Sequence, residues 1–191
     1  MMKIEDILNG IYPLPEASLM RLEKCVSLIK VEKGLNILRT GKVERNIYFI
    51  SKGIVRAYFC AEDKDVTFWI GMEGNVVLSV RSFFANEPGY ETVEVMEDSE
   101  LFQIDHTDLL KCFDEDIHIA NWGRRFAEKE FMATEKRLIP MLFMSASERY
   151  NKLLEDNPKL LQRLPLEKIA SYLGITPVSL SRIRASIRNP K

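Results

Sequence analysis

The sequence is poor in the residues that hold metals and carry redox chemistry, with three cysteines and two histidines in 191 residues. Cys25, Cys60 and Cys112 lie far apart, no C-x-x-C pair exists, and His106 and His118 stand alone. No metal-ligand spacing results, and the thiols read as ordinary, largely buried side chains. Long apolar runs are missing too. None reaches the roughly 18 residues that a membrane span needs, and the N-terminal MMKIEDILNG has acids where an export signal would have its apolar core. A cytoplasmic protein without metal or cofactor is expected. Net charge is nearly absent at −1, which by itself does not advertise a nucleic-acid partner. There is no nucleophile–base spacing and no glycine-rich phosphate loop. Glu91, Glu94, Glu97 and Asp98 gather around one strand, but alternation turns several outward, so a solvated edge is expected and an enzyme is not.

What is present falls into three patterns. Ile4, Ile7, Leu8 and Ile11, then Leu19, Leu22 and Val26, repeat at helical spacing. From residue 25 to 105 short apolar runs recur at Val26–Val31, Ile47–Ile50, Ile54–Phe59, Val66–Ile70, Val76–Val80, Thr92–Val95 and Leu101–Ile104, with glycines between them. This is the pattern of a sandwich or barrel, and Lys52-Gly53 between two such runs reads as a tight hairpin. From His106 the pattern is helical. A short helix opens near Thr107, and a long one is expected from about Ile117 to Phe143, with Pro140 kinking or ending it. Its apolar residues form two rows. Ile119, Trp122, Phe126 and Ala133 make one, and Ala127, Phe131, Leu138 and Leu142 the other. A helix with two apolar faces needs two partners. The first row is expected to pair with a second copy of the chain, although burial within one chain would also explain two faces. Ser145 or Ser147 caps the next helix, and Asn157-Pro158 ends it.

The last thirty residues carry the sharpest motif. Ile169, Ala170 and Leu173 give one helix an apolar stripe, Gly174 supplies a sharp turn, and Thr176-Pro177 is a cap followed by a proline at the first helical position. Leu180, Ile183 and Ile187 are the expected buried stripe of a second helix. Small Ala170 lets the two helices cross closely, which is the helix-turn-helix arrangement. Residues 163–191 carry six basic side chains and one acid, a charge of +5 that leaves −6 on the rest. A local basic module on an acidic body is the footprint of a DNA-binding domain. Thr176, Pro177, Val178, Ser179 and Arg182 open the second helix, where base edges are read. Arg182 offers guanine a bidentate pair, and Arg184, Arg188 and Lys191 suit phosphates.

The glycine-punctuated β region, the long helix and IASYLGITPVSLSRI together resemble the Crp/Fnr family of bacterial regulators over nearly the whole chain. The resemblance implies an α+β fold in three parts. Residues 1–116 would be an effector-binding β-roll of the cyclic-nucleotide type with N-terminal helices. Residues 117–144 would be a long dimerisation helix, and 145–191 a helix-turn-helix domain. It implies a homodimer acting on double-stranded DNA, with RNA polymerase as a further partner. The family's cyclic-AMP members hold the phosphate with a G-E-L segment and an Arg-Ser or Arg-Thr pair. Here those places hold Leu78-Ser79-Val80 and Gly89-Tyr90, so the phosphate grip is missing and a different effector is expected. By position, its polar contacts would be Ser79, Tyr90, Thr92, Thr134 and Glu135. The family's β-hairpin wing also has no counterpart after Ile187. An alternative reading is a small-molecule-binding module whose helix-turn-helix is vestigial or contacts protein.

Overall fold

A computed structural model describes residues 1–61 and 64–188, the last of these for its backbone alone. The chain divides into two compact units. The first comprises Met1–Ala57 and Ile70–Phe131, and the second Tyr58–Trp69 and Met132–Lys191.

The first unit opens with α1 (Ile4–Ile11) and α2 (Glu16–Glu23), followed by β1 (Val26–Val31), β2 (Asn36–Leu38) and β3 (Ile47–Lys52). Next come β4 (Val55–Ala61), β5 (Lys64–Gly71), β6 (Val76–Val77), a single π-helical turn (Arg81–Ala85), β7 (Thr92–Val95) and β8 (Ser99–Ile104). The strands form two four-stranded sheets, β1-β8-β3-β6 and β2-β7-β4-β5. β3 and β4 therefore lie in different sheets. Lys52-Gly53 is a corner between sheets and not the expected paired hairpin. Gly53 takes φ +117° there, and a Cβ would sit 1.9 Å from the Ser99 hydroxyl, so no other residue fits.

Strand register explains where the core sits. Phe49 pairs with Phe102 and with Val76, and Ile47 with Ile104, so these side chains share one face. That face packs against Ile7, Leu8 and Leu22 of α1 and α2, Leu109 of α3 (His106–Glu115), and Ile119, Trp122 and Phe126 of α4 (Ile117–Phe143). Trp122 stacks on Phe126 at 6.0 Å and donates its indole N–H to the Leu8 carbonyl at 2.9 Å. The opposite face of the sheet, with Ile50 and Leu101, is also buried.

The second unit holds the far part of α4, then α5 (Ala146–Asp156), α6 (Leu160–Arg163), α7 (Leu166–Tyr172) and α8 (Pro177–Arg188). α4 runs three residues past Pro140, which cannot donate to the Lys136 carbonyl one turn earlier, so the helix continues there without that bond. Ser145 and Glu148 close a reciprocal capping box on α5. The segment Tyr58–Trp69, which holds most of β4 and β5, belongs to this unit rather than to the first.

Candidate nucleic-acid interface

Helices α7 and α8 cross over Ile169, Ala170, Leu173 and Leu180, all buried. The turn between them is built as its residues require. Gly174 takes φ +67°, its N–H bonds to the Ser171 carbonyl at 3.0 Å, and Ile175 N–H bonds back to Ala170 at 3.0 Å. Thr176 then caps α8. Its hydroxyl accepts from Ser179 N–H at 3.1 Å and lies 2.9 Å from the Ser179 hydroxyl.

The outer face of α8 presents Pro177, Val178, Ser181 and Arg182 to solvent. Ser179 is half-buried and tied to the cap, so its hydroxyl is already engaged. Arg184 is half-buried. The expected three-residue stripe is shorter than the spacing suggested. Leu180 is buried, Ile183 is half-buried, and Ile187 is 42% exposed. Among the described residues, burial along α8 fades from Leu180 toward its far end. The Arg188 side chain and Lys191, both expected on phosphates, lie outside the described residues.

Two residues that sequence spacing did not single out hold this motif. The Ser171 hydroxyl accepts from Thr67 N–H at 2.9 Å and donates to the Asp65 carbonyl at 2.8 Å, fastening α7 to β5. Lys168 lies 3.8 Å from the Asp65 carboxylate beside it. Arg149 on α5 gives Nε and Nη2 to the Leu173 carbonyl at 3.1 and 2.9 Å and Nη1 to Met144 at 2.7 Å. The Ser171 links and the Arg149–Leu173 link join residues many positions apart, and no local pattern announces them.

The residues expected to contact an effector are also placed differently from the sequence reading. Ser79 is buried and accepts from Ser82 N–H at 3.4 Å. Tyr90 is instead 46% exposed. Burial, then the neighbouring Glu91 carboxylate, pushes its phenol above the usual range. Strand parity places Thr92 with Glu94, opposite to buried Val93 and Val95, and the Thr92 hydroxyl receives Thr40 N–H at 3.4 Å. Glu91, in phase with Val93, is the inward residue. It is only 5% exposed, and its Oε2 has no hydrogen-bond donor among the described residues. A Cβ on Gly89 would lie 2.8 Å from the Ser79 hydroxyl and 3.3 Å from Glu91 Oε2. The solvated acidic edge is thus corrected. Glu91 points inward, and Glu94 binds the buried Arg56 guanidinium at 2.7 Å. Arg81, the nearest cation to Ser79 in sequence, is spent on Glu87 at the surface. Thr134 and Glu135 are exposed and belong to the second unit, where Thr134 accepts from Arg137 at 3.1 Å.

A cavity of about 310 Å³ does exist in the first unit, on the helical side of the fold. It is lined by aromatic residues of the π-turn and α3 together with Trp122, Gly123 and Phe126, and includes none of the expected effector contacts. On α4, Ile119, Trp122 and Phe126 are consumed by the chain's own core. They cannot be the face offered to a second subunit, as expected, because α1, α2 and β3 already cover them. Ala133 is half-buried. The open row is the other one, with Phe131 at 79%, Leu138 at 53% and Leu142 at 63% exposure.

An antiparallel roll, a long helix and a terminal helix-turn-helix, in that order, make up a fold that this chain shares with solved Crp/Fnr-type regulators. The family model of the cyclic nucleotide-binding domain matches residues 28–116. FixK2 from Bradyrhizobium japonicum shares the fold with a TM-score of 0.76 at 17% identity, over 85% of this chain and 84% of that one. CLP, the c-di-GMP-responsive global regulator of Xanthomonas campestris, does so at 0.73 and 14% identity, over 91% and 92%. A protein of Eubacterium rectale assigned to the Crp/Fnr transcriptional regulators does so at 0.72 and 16% identity, over 94% and 88%. No curated protein matches the chain in sequence. Among the described residues no helix is long and apolar enough to cross a membrane.

Proposed function

We propose that this chain is a sequence-specific regulator of transcription that binds double-stranded DNA as a homodimer and answers to a small effector other than cyclic AMP. The observation that carries the reading is the capped helix α8. It is anchored through Leu180 and turns Val178 and Arg182 outward on a locally basic module. Arg182 reads a base edge by its bidentate geometry, and Arg184 and Arg188 neutralise phosphates. The exposed row Phe131, Leu138 and Leu142 supports dimerisation through α4, and a two-fold dimer would present two recognition helices about 34 Å apart. Against cyclic AMP stands Glu91. A phosphate brought to Ser79 would meet a buried carboxylate in place of a guanidinium.

The test is selection of binding sites from random DNA with the intact chain. A palindromic site is expected. Arg182→Ala should lose about 1–3 kcal/mol at one base pair per half-site, and Arg184→Ala should weaken all sequences alike. If no palindrome emerges and Arg182→Ala binds as wild type does, the helix-turn-helix does not read DNA.

A further inference from the structure

Cys25 and Cys112 are 87 positions apart in sequence, yet their sulfurs lie 3.6 Å apart. Cys25 follows α2, its thiol 3.7 Å from the Arg21 carbonyl of that helix's last turn. Cys112 sits on the buried face of α3 near Leu109. The same two helices are bridged at the surface by the Arg21–Glu115 ion pair, so the approach of the thiols is backed by a second contact. A disulfide bond is about 2.05 Å long, so the sulfurs have only about 1.5 Å left to close.

We propose that Cys25 and Cys112 form a modification site, a thiol pair that a hydroperoxide converts reversibly into a disulfide stapling the end of α2 to α3. The two thiols differ in the way such a reaction needs. Cys25 is half-buried and reaches solvent, whereas Cys112 is buried. Burial, reinforced by the adjacent Cys25, pushes the Cys112 thiol up to about 11, so it stays protonated at neutral pH. Cys25 therefore makes the first attack. Its thiolate takes the distal oxygen of hydrogen peroxide, the O–O bond breaks, and hydroxide leaves, giving a sulfenic acid on Cys25. The Cys112 sulfur then attacks the Cys25 sulfur. The S–S bond forms, the S–O bond breaks, and the hydroxyl departs as water with the proton of Cys112. Two thiols lose two electrons in all, and one peroxide becomes two waters. Only Asp116 separates α3 from α4, and its carboxylate caps the first turn of α4 by accepting from His118 N–H at 2.9 Å. The staple would hold the root of the long helix.

Cys60 is exposed and serves as the internal reference. The intact chain is treated briefly with a small excess of hydrogen peroxide, quenched with an alkylating agent under denaturing conditions, digested, and weighed by mass spectrometry. The expected result is a Cys25–Cys112 cross-linked peptide pair that dithiothreitol releases. Cys60→Ser should keep the cross-link and Cys25→Ser abolish it. The urea-unfolded chain should give it at least tenfold less, because proximity is then gone. Recovery of Cys25 and Cys112 as alkylated thiols while Cys60 is oxidised would overturn the proposal. So would an equal cross-link yield in native and unfolded chains.

Discussion

Ser171→Ala removes one oxygen from the junction of α7 and β5, and its cost can be worked from the contacts. The hydroxyl accepts from Thr67 N–H at 2.9 Å and donates to the Asp65 carbonyl at 2.8 Å. Each bond contributes about 1 kcal/mol net, and Thr67 is buried, so its amide also bears part of a desolvation penalty of about 1–3 kcal/mol once its acceptor is gone. The expected local loss is about 2–3 kcal/mol, or roughly a 30- to 150-fold fall in protection of that amide. Native-state hydrogen exchange reads it directly. Protection at Thr67 should collapse while the amides of β8, in the other unit, keep theirs. Ser186→Ala is the control. Its exposed hydroxyl only donates to the Ile183 carbonyl of its own helix, so the change should stay within about 0.5 kcal/mol. Unchanged exchange at Thr67, or a uniform loss across both units, would refute the reasoning.

Three further outcomes are expected. Trp122→Ala should cost about 3–5 kcal/mol by urea denaturation, since the ring is fully buried and its N–H serves the Leu8 carbonyl; a loss near 1 kcal/mol would mean the core rearranges around it. Leu138→Asp should halve the mass found by light scattering without lowering helix content, and a persisting dimer would move the interface off this row. Asp105 caps α3. The Thr107 N–H at 2.8 Å holds its carboxyl below the usual range against a smaller opposing push from burial. A depressed folded value means that its contribution is complete above the unfolded value of about 3.9 and fades as the pH falls through the folded one. Acid titration of stability should therefore be shallower in Asp105→Asn below about pH 4, and superimposable curves would rule the cap out as a source of acid sensitivity.

The parts legible in the sequence were those whose signal is local and repeated. The strands at Val26–Val31 and Thr92–Val95, the span of α4, and the Gly174-Ile175-Thr176-Pro177 turn all follow from short-range spacing and turn chemistry. The effector side was less legible because a strand has a period of two, and one residue of phase exchanges inside for outside. Reading Tyr90 and Thr92 as inward put Glu91 on the surface, whereas Glu91 is the residue that faces in. The two faces of α4 posed a related difficulty. Both rows are apolar, and only the positions of α1 and α2 decide which one the chain keeps for itself. Ser171, Arg149 and the Cys25–Cys112 contact depend on residues brought from far along the chain.

Arg149 bears on how a signal would leave α4. One planar guanidinium closes the carbonyl after α4 and the carbonyl ending α7, the negative poles of two helices. A lysine could not span both, because it has no rigid fork. The last turn of α4, α5 and α7 are in effect bolted together. If the chain binds DNA as proposed, a half-site would engage these three helices as one solid block, and operator spacing would report where the two blocks of a dimer stand.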